Sequence, residues 1–184
     1  MKLWVIILII IAVAIVFWII NTYNKLIRLK NKVQEAFSTM DVYLKKRWDL
    51  VPNLVEVVKG YAKYEESTFK EIAELRSGSY GDMSNADKID ANNKLSAQLS
   101  KIVAVAENYP ELKANENFVK LQGQLEEFEK DIAESRKYYN AVVLQYNNAV
   151  MLFPQNIVAS MFHFTTEKMF EAAENERENV KVQF

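Results

Sequence analysis

The feature that most constrains this chain is the run Leu3–Ile20, LWVIILIIIAVAIVFWII, eighteen residues with no charged side chain. At ~1.5 Å rise per residue a helix of this run is about 27 Å long, close to the hydrocarbon thickness of a bilayer. Trp4 and Trp18 stand near its two ends and Tyr23 just past it, where amphipathic rings prefer the headgroup level. The rival reading is a cleaved signal peptide. Lys2 and Ala12-Val13-Ala14 match its basic start and small-residue site, but Ile15–Ile20 carry the apolar run past the point where a polar region belongs. The run therefore reads as an uncleaved transmembrane anchor, residues 1–22.

The flanks set an expected orientation. Lys25, Arg28, Lys30 and Lys32 follow the span, and the positive-inside rule then predicts a short outer N-terminus and a cytoplasmic domain. The net charge of −1 hides a segregation: Lys2 contributes +1, residues 21–47 carry +5, and residues 48–184 carry −7. A basic collar beside the bilayer attracts anionic headgroups, by about 1 kcal/mol per cation near the surface. The acidic body gains nothing there. The lipid bilayer is thus the first expected partner, and near-zero net charge supplies no reason to expect nucleic acid.

Beyond the anchor, apolar residues recur at three- and four-residue steps. Tyr23, Leu26, Val33, Phe37, Met40, Leu44 and Val51 form one series, interrupted by Lys30 and Arg47, and Leu54, Val58, Tyr61, Ile72 and Leu75 stay in phase with it. Pro52 lies inside this series. Phase continuity favours one kinked helix, whereas Asp49 as an N-cap favours a restart. Ser77–Asp82 reads as a loop, Ser84 as the cap of a helix carrying Ile89, Leu95, Leu99 and Ile102, and Asn115 as the cap of a long final helix. That helix carries Phe118, Leu121, Leu125, Phe128, Ile132, Ser135, Tyr139, Val142, Tyr146, Ala149 and Phe153 in unbroken heptad spacing and ends or bends at Pro154. With four glycines and three prolines in 184 residues, the expected fold is all-α: a transmembrane helix followed by an antiparallel four-helix-type bundle. The bundle is assigned to residues 23–165 and a loose tail to 166–184.

The chemistry of the side chains is restrictive. There is no cysteine and one histidine, which excludes disulfides, thiol nucleophiles and thiolate or multi-histidine metal sites within one chain. The i, i+3 carboxylate pairs Glu71/Glu74, Glu126/Glu129 and Glu171/Glu174 lack the Glu-x-x-His partner of di-metal bundles and read as solvated faces. Gly78 and Gly81 lack the lysine of a phosphate loop. No cofactor is expected. Tyr139-Asn140 and Tyr146-Asn147 repeat one heptad apart with Arg136 a turn earlier, a pattern suited to hydrogen bonds that set helix register or to a polar contact surface. Asn31, Asp49 and Asn53 are candidates for the same network.

Several ordered motifs carry a family resemblance. Tyr23-Asn24, Leu29-Lys30-Asn31, the stretch Leu44–Val55, Val58–Tyr61, Glu107–Asn115, Phe118–Gln122, Arg136, Tyr139-Asn140, Tyr146-Asn147 and Phe153-Pro154 together resemble the LemA family of bacterial membrane-anchored helical proteins. The chain departs from that pattern at Phe37, where the family usually has Trp, and in the segment of His163, where Gly is frequent. The resemblance implies a four-helix cytoplasmic bundle. It implies no established activity, but links relatives to membrane-organelle formation and to membrane-protease neighbourhoods.

The expected function is a non-enzymatic, single-pass scaffold that organises membrane or membrane-protein assemblies. The alternative is an accessory or sensing subunit of a membrane enzyme such as a protease. Self-association and a membrane-protein partner are both expected interactions. For the anchor, Ile9→Lys combined with Val13→Lys places two charges mid-span, at about 2.5–3.5 kcal/mol each on insertion scales. That variant is expected to leave the carbonate-resistant membrane fraction, whereas the natural chain stays there with an intact mass that includes residues 1–20. Retention of the double variant in the pellet would refute the anchor.

Overall fold

The computed structural model describes residues 2–62 and 66–170. Those residues form an all-α chain: α1 Lys2–Lys59, α2 Glu66–Leu75, α3 Asn85–Glu107, α4 Pro110–Lys113, α5 Glu116–Met151 and α6 Gln155–Met161, with a 3₁₀ turn at Tyr80–Asp82. The apolar run is the exposed beginning of α1, with Leu3 to Phe17 uncovered by protein. It is long and apolar enough to cross a membrane.

The choice at Pro52 falls to continuity. The ring removes the N–H that would bond the Trp48 carbonyl, yet α1 runs through it. Leu50, Val51, Leu54 and Val58 are all buried on one stripe, and their packing offsets the lost bond. Asp49 is therefore no cap; it lies on the exposed face as the i+4 partner of Lys45. The stripe does stop earlier than its phase suggests. α1 ends at Lys59, Gly60 opens a turn, and Tyr61 is exposed with its hydroxyl accepting from Asn115 Nδ2 at 3.0 Å.

Elsewhere the capping signals hold. Ser84 Oγ accepts from the Asp87 amide at 3.2 Å, and Asn115 Oδ1 accepts from the amides of Asn117 and Phe118 at 3.0 and 3.1 Å. On α5, Phe118, Leu125, Ile132, Tyr139, Val142, Tyr146 and Ala149 are buried, while Phe153 is exposed.

The chain divides into two compact units. In the first, residues 2–38 and 137–169, Leu26, Ala149, Val158 and Ala159 form a core on which Trp18, Ile19, Tyr23 and Phe164 pack. Residue 22 is thus no boundary here: the end of the apolar run shares a core with α6. Nor is residue 166 the start of a free tail. Tyr146 donates to the Thr165 carbonyl at 2.9 Å and Tyr139 to the Lys168 carbonyl at 2.8 Å, while Asn147 exchanges two 2.9 Å bonds with the Glu167 backbone. Residues 171–184 lie outside the described residues. The turn after α6 places His163 at φ 56°, the left-handed region that glycine enters without a Cβ penalty. This accounts for the glycine expected in that segment.

The second unit comprises residues 39–136 and Phe170 among those described. Its core contains Met40, Leu44, Leu54, Ile89, Leu95, Ile102 and Leu112. At its centre is Arg47, which interrupts the apolar series and is wholly buried. Its Nη1 donates to Glu129 Oε1 at 2.7 Å and to Ser96 Oγ at 2.8 Å; its Nη2 donates to the Asn92 carbonyl at 3.0 Å and Oδ1 at 2.9 Å. One guanidinium joins α1, α3 and α5. Glu129 corrects the solvated-face expectation. It stands beside the seam residues Phe128 and Ile132, close enough for its carboxylate to reach across to Arg47. Tyr80 extends the network, donating to Asp41 Oδ1 at 2.7 Å and accepting from Asn92 Nδ2 at 3.3 Å. Burial and then the Asp41 bond push its phenol well above the ordinary range, so it remains a donor.

Two variants probe these features. Arg47→Ala removes the donors that serve Asn92, Ser96 and Glu129 and is expected to cost about 3–5 kcal/mol in urea unfolding of the full chain in micelles. Arg47→Met, which refills the volume, is expected to cost less. Equal losses in the two variants would mean that the lost hydrogen bonds, and not the vacated volume, set the cost. His163→Gly is expected to stabilise the chain by about 1 kcal/mol, through relief of the left-handed backbone; a lower melting temperature would contradict this.

Candidate interaction site

The second unit carries a groove between two helix faces of matching pattern. On α1, Pro52, Val55, Glu56 and Lys59 recur at i, i+3, i+4 and i+7; on α2 and the residue after it, Phe69, Ile72, Ala73 and Arg76 do the same. The spacing puts each set on one side of its helix. The cavity between them is ≈ 330 Å³. Phe69 and Ile72 are buried beneath it, and Pro52 and Ala73 stand exposed at its edge.

Two cations rim this apolar floor. Lys59 Nζ lies 5.5 Å from the centre of the Phe69 ring. The Arg76 guanidinium lies 5.3 Å from the Trp48 ring, an arrangement that holds its plane while leaving donors at the edge. Its Nη1 is buried and makes no hydrogen bond among the described residues. Burial lowers the Arg76 pKa from its ordinary value and the Asp49 carboxylate opposes the shift. A charged donor pair beside an apolar trough is equipped to bind a carboxylate next to apolar side chains. Among the described residues, no three His, Cys, Asp or Glu side chains gather to hold a metal.

The predicted network residues fall into separate places. Tyr139, Tyr146 and Asn147 come together as the clamp on residues 165–168. Burial, then the charge of Glu167, push the Tyr139 phenol up to about 12 and raise Tyr146, so both hydroxyls stay donors. Asn140 is half-buried and Asn31 exposed, both in the first unit. Arg136 stacks 4.5 Å over the Phe170 ring in the second unit. Asn53 is exposed beside Pro52 and borders a second cavity with Glu56 and Leu121. Asp49 acts on Arg76 through its charge, and is the one predicted residue tied to the groove's chemistry. Among the membrane-interface residues, Lys25, Arg28, Lys30 and Lys32 are exposed, Trp4 is exposed, and Trp18 and Tyr23 are half-covered by the first core.

Sequence reasoning missed the groove because α2 was read as a continuation of the α1 stripe. The available signal was the second i, i+3, i+4, i+7 set, Phe69 to Arg76, repeating the set from Pro52 to Lys59.

Comparison with known proteins agrees with the motifs. The LemA family model matches residues 36–184. Protein LemA of Metamycoplasma hominis is 25% identical over 158 residues, covering 85% of this chain and 72% of its own length. Magnetosome protein MamQ 2 of Paramagnetospirillum magneticum is 23% identical over 185 residues, covering 86% of this chain and 68% of its own. Magnetosome protein MamQ of Magnetospirillum gryphiswaldense is 22% identical with the same coverage, 86% and 68%. With the family model spanning most of its length and the ordered motifs in place, the chain belongs to the LemA family.

Proposed function

We propose that this protein is a single-pass, membrane-anchored scaffold that organises membrane or membrane-protein assemblies and catalyses no reaction of its own. Its short N-terminus lies outside and its helical body in the cytoplasm, because Lys25, Arg28, Lys30 and Lys32 follow the span. The observation that carries this reading is the groove between α1 and α2. Pro52, Val55, Phe69, Ile72 and Ala73 form an apolar trough that receives the side chains of one amphipathic segment, and Arg76 and Lys59 select an acidic residue on it. The segment belongs to a neighbouring membrane protein or to a second copy of the chain. The names of the similar proteins, LemA and MamQ, describe no reaction, which supports the non-enzymatic side of the proposal.

The test is a photo-crosslinking side chain at Ala73 in the full chain, activated in native membranes. A discrete crosslinked product is expected, and Arg76→Glu is expected to reduce its yield about tenfold, the equivalent of ~1.4 kcal/mol. A product containing a second copy identifies a self-assembling scaffold; one containing another membrane protein identifies a heteromeric one. A single stoichiometric enzyme would move the assignment to an accessory subunit. Uncrosslinked monomer alone would overturn the proposal.

A further inference from the structure

Residues 138–166 contain no Asp, Glu, Lys or Arg, in a chain that is 26% charged. Within it, Tyr139, Val142, Val143, Tyr146 and Ala149 are buried on α5. The turn from α5 into α6 has an outer side that is not buried. Met151 is 57% exposed, Leu152 60%, Phe153 80%, Ile157 53% and Met161 52%. A water-facing turn is ordinarily polar, and a contiguous apolar surface of this kind marks an interface. The question is what covers it.

The inner side of the same segment supplies the answer. Val158 and Ala159 are buried against Leu26 and Ala149, and Trp18, Ile19 and Tyr23 pack on that cluster. The Tyr23 ring lies 4.8 Å from Phe162 and 5.8 Å from Phe164, centre to centre. These contacts belong to one compact unit. They hold α6 beside residues 18–26 of α1, the stretch in which the apolar run gives way to Asn21, Thr22 and Asn24. That is the level at which the anchor leaves the hydrocarbon. The exposed apolar turn is therefore fixed next to a bilayer surface by the anchor itself. Its polar residues Gln155, Asn156 and Ser160 are uncharged, as suits headgroup depth. The exposed Lys25 and Arg28 on the neighbouring turns of α1 add attraction to anionic headgroups.

We propose that Met151–Phe162 is a second membrane-contacting element, lying in the interface of the leaflet from which α1 emerges. The turn inserts Phe153, Ile157 and Met161 among the upper acyl segments and headgroups, and the bilayer is the occupant of this surface. One transmembrane helix leaves a domain free to rotate about the span axis. A second contact beside it fixes the rotation of the first unit about that axis.

The absence of cysteine makes the test direct. Single cysteines are placed at Phe153 and at Ile157, both exposed so that labelling removes no packing, and at Ser38 as the control. Ser38 is exposed on α1, eighteen residues past Ile20, or about 27 Å along the helix. Each full-length variant carries an environment-sensitive fluorophore and is reconstituted in phosphatidylcholine–phosphatidylglycerol vesicles with a nitroxide near the lipid headgroup. Emission at 153 and 157 is expected to fall about twofold or more with the nitroxide lipid, with reduced access to a water-soluble quencher, while emission at Ser38 responds only to the latter. Labels at 153 and 157 that behave like Ser38 would overturn the proposal. So would labels shielded from both quenchers, the signature of a second copy on the patch.

Discussion

A guanidinium removed from water dominates the second unit. Arg47 offers donors to a carboxylate, a hydroxyl, an amide carbonyl and a backbone carbonyl contributed by α3 and α5. An apolar seam alone tolerates sliding by a heptad, since one leucine layer resembles the next. A buried cation does not, because a slip leaves its charge unpaired in a low dielectric. Tyr80, Asp41 and Lys88 continue this polar line to the edge of the core, so the 77–82 loop is also held.

The surface chemistry of the protein is that of contacts. The groove of the second unit combines an apolar floor with two cations, and the turn of the first unit exposes large apolar side chains where the anchor ends. The polar side chains brought together in the first unit, Tyr139, Tyr146 and Asn147, bind the chain's own backbone at residues 165–168. The hydroxyls are raised out of the titrating range by burial, so they act as fixed donors at physiological pH. The buried chemistry thus serves register and closure, while the apolar and cationic exteriors are the surfaces on which the proposed lipid and protein contacts rest.

Much of this was legible in order along the chain. The anchor follows from composition because lipid demands an unbroken apolar run. The caps at Ser84 and Asn115 were legible because a cap is a bond between residues two or three apart. The heptads of α5 marked positions that are buried or half-buried, and Phe153 is exposed because the helix ends at Met151. The candidate site was legible only in part. Asp49 was singled out, but its tie to Arg76 depends on where the chain turns after Lys59, and no periodicity states that.

What the sequence by itself determined is therefore the class of each segment: an apolar helix long enough to span a membrane, amphipathic helices after it, and an absence of thiol or multi-histidine chemistry. Tertiary structure decided the meaning of the exceptions. Arg47 reads as a fault in an apolar stripe and becomes the centre of a core. Glu129 reads as a solvated charge and becomes its counter-ion. Pro52 reads equally as a kink or a break and is carried through. The physical reason is common to all three. Local rules measure a residue against its neighbours on one helix, whereas the free energy of a buried charge or a missing hydrogen bond depends on groups supplied by other helices, tens of residues away.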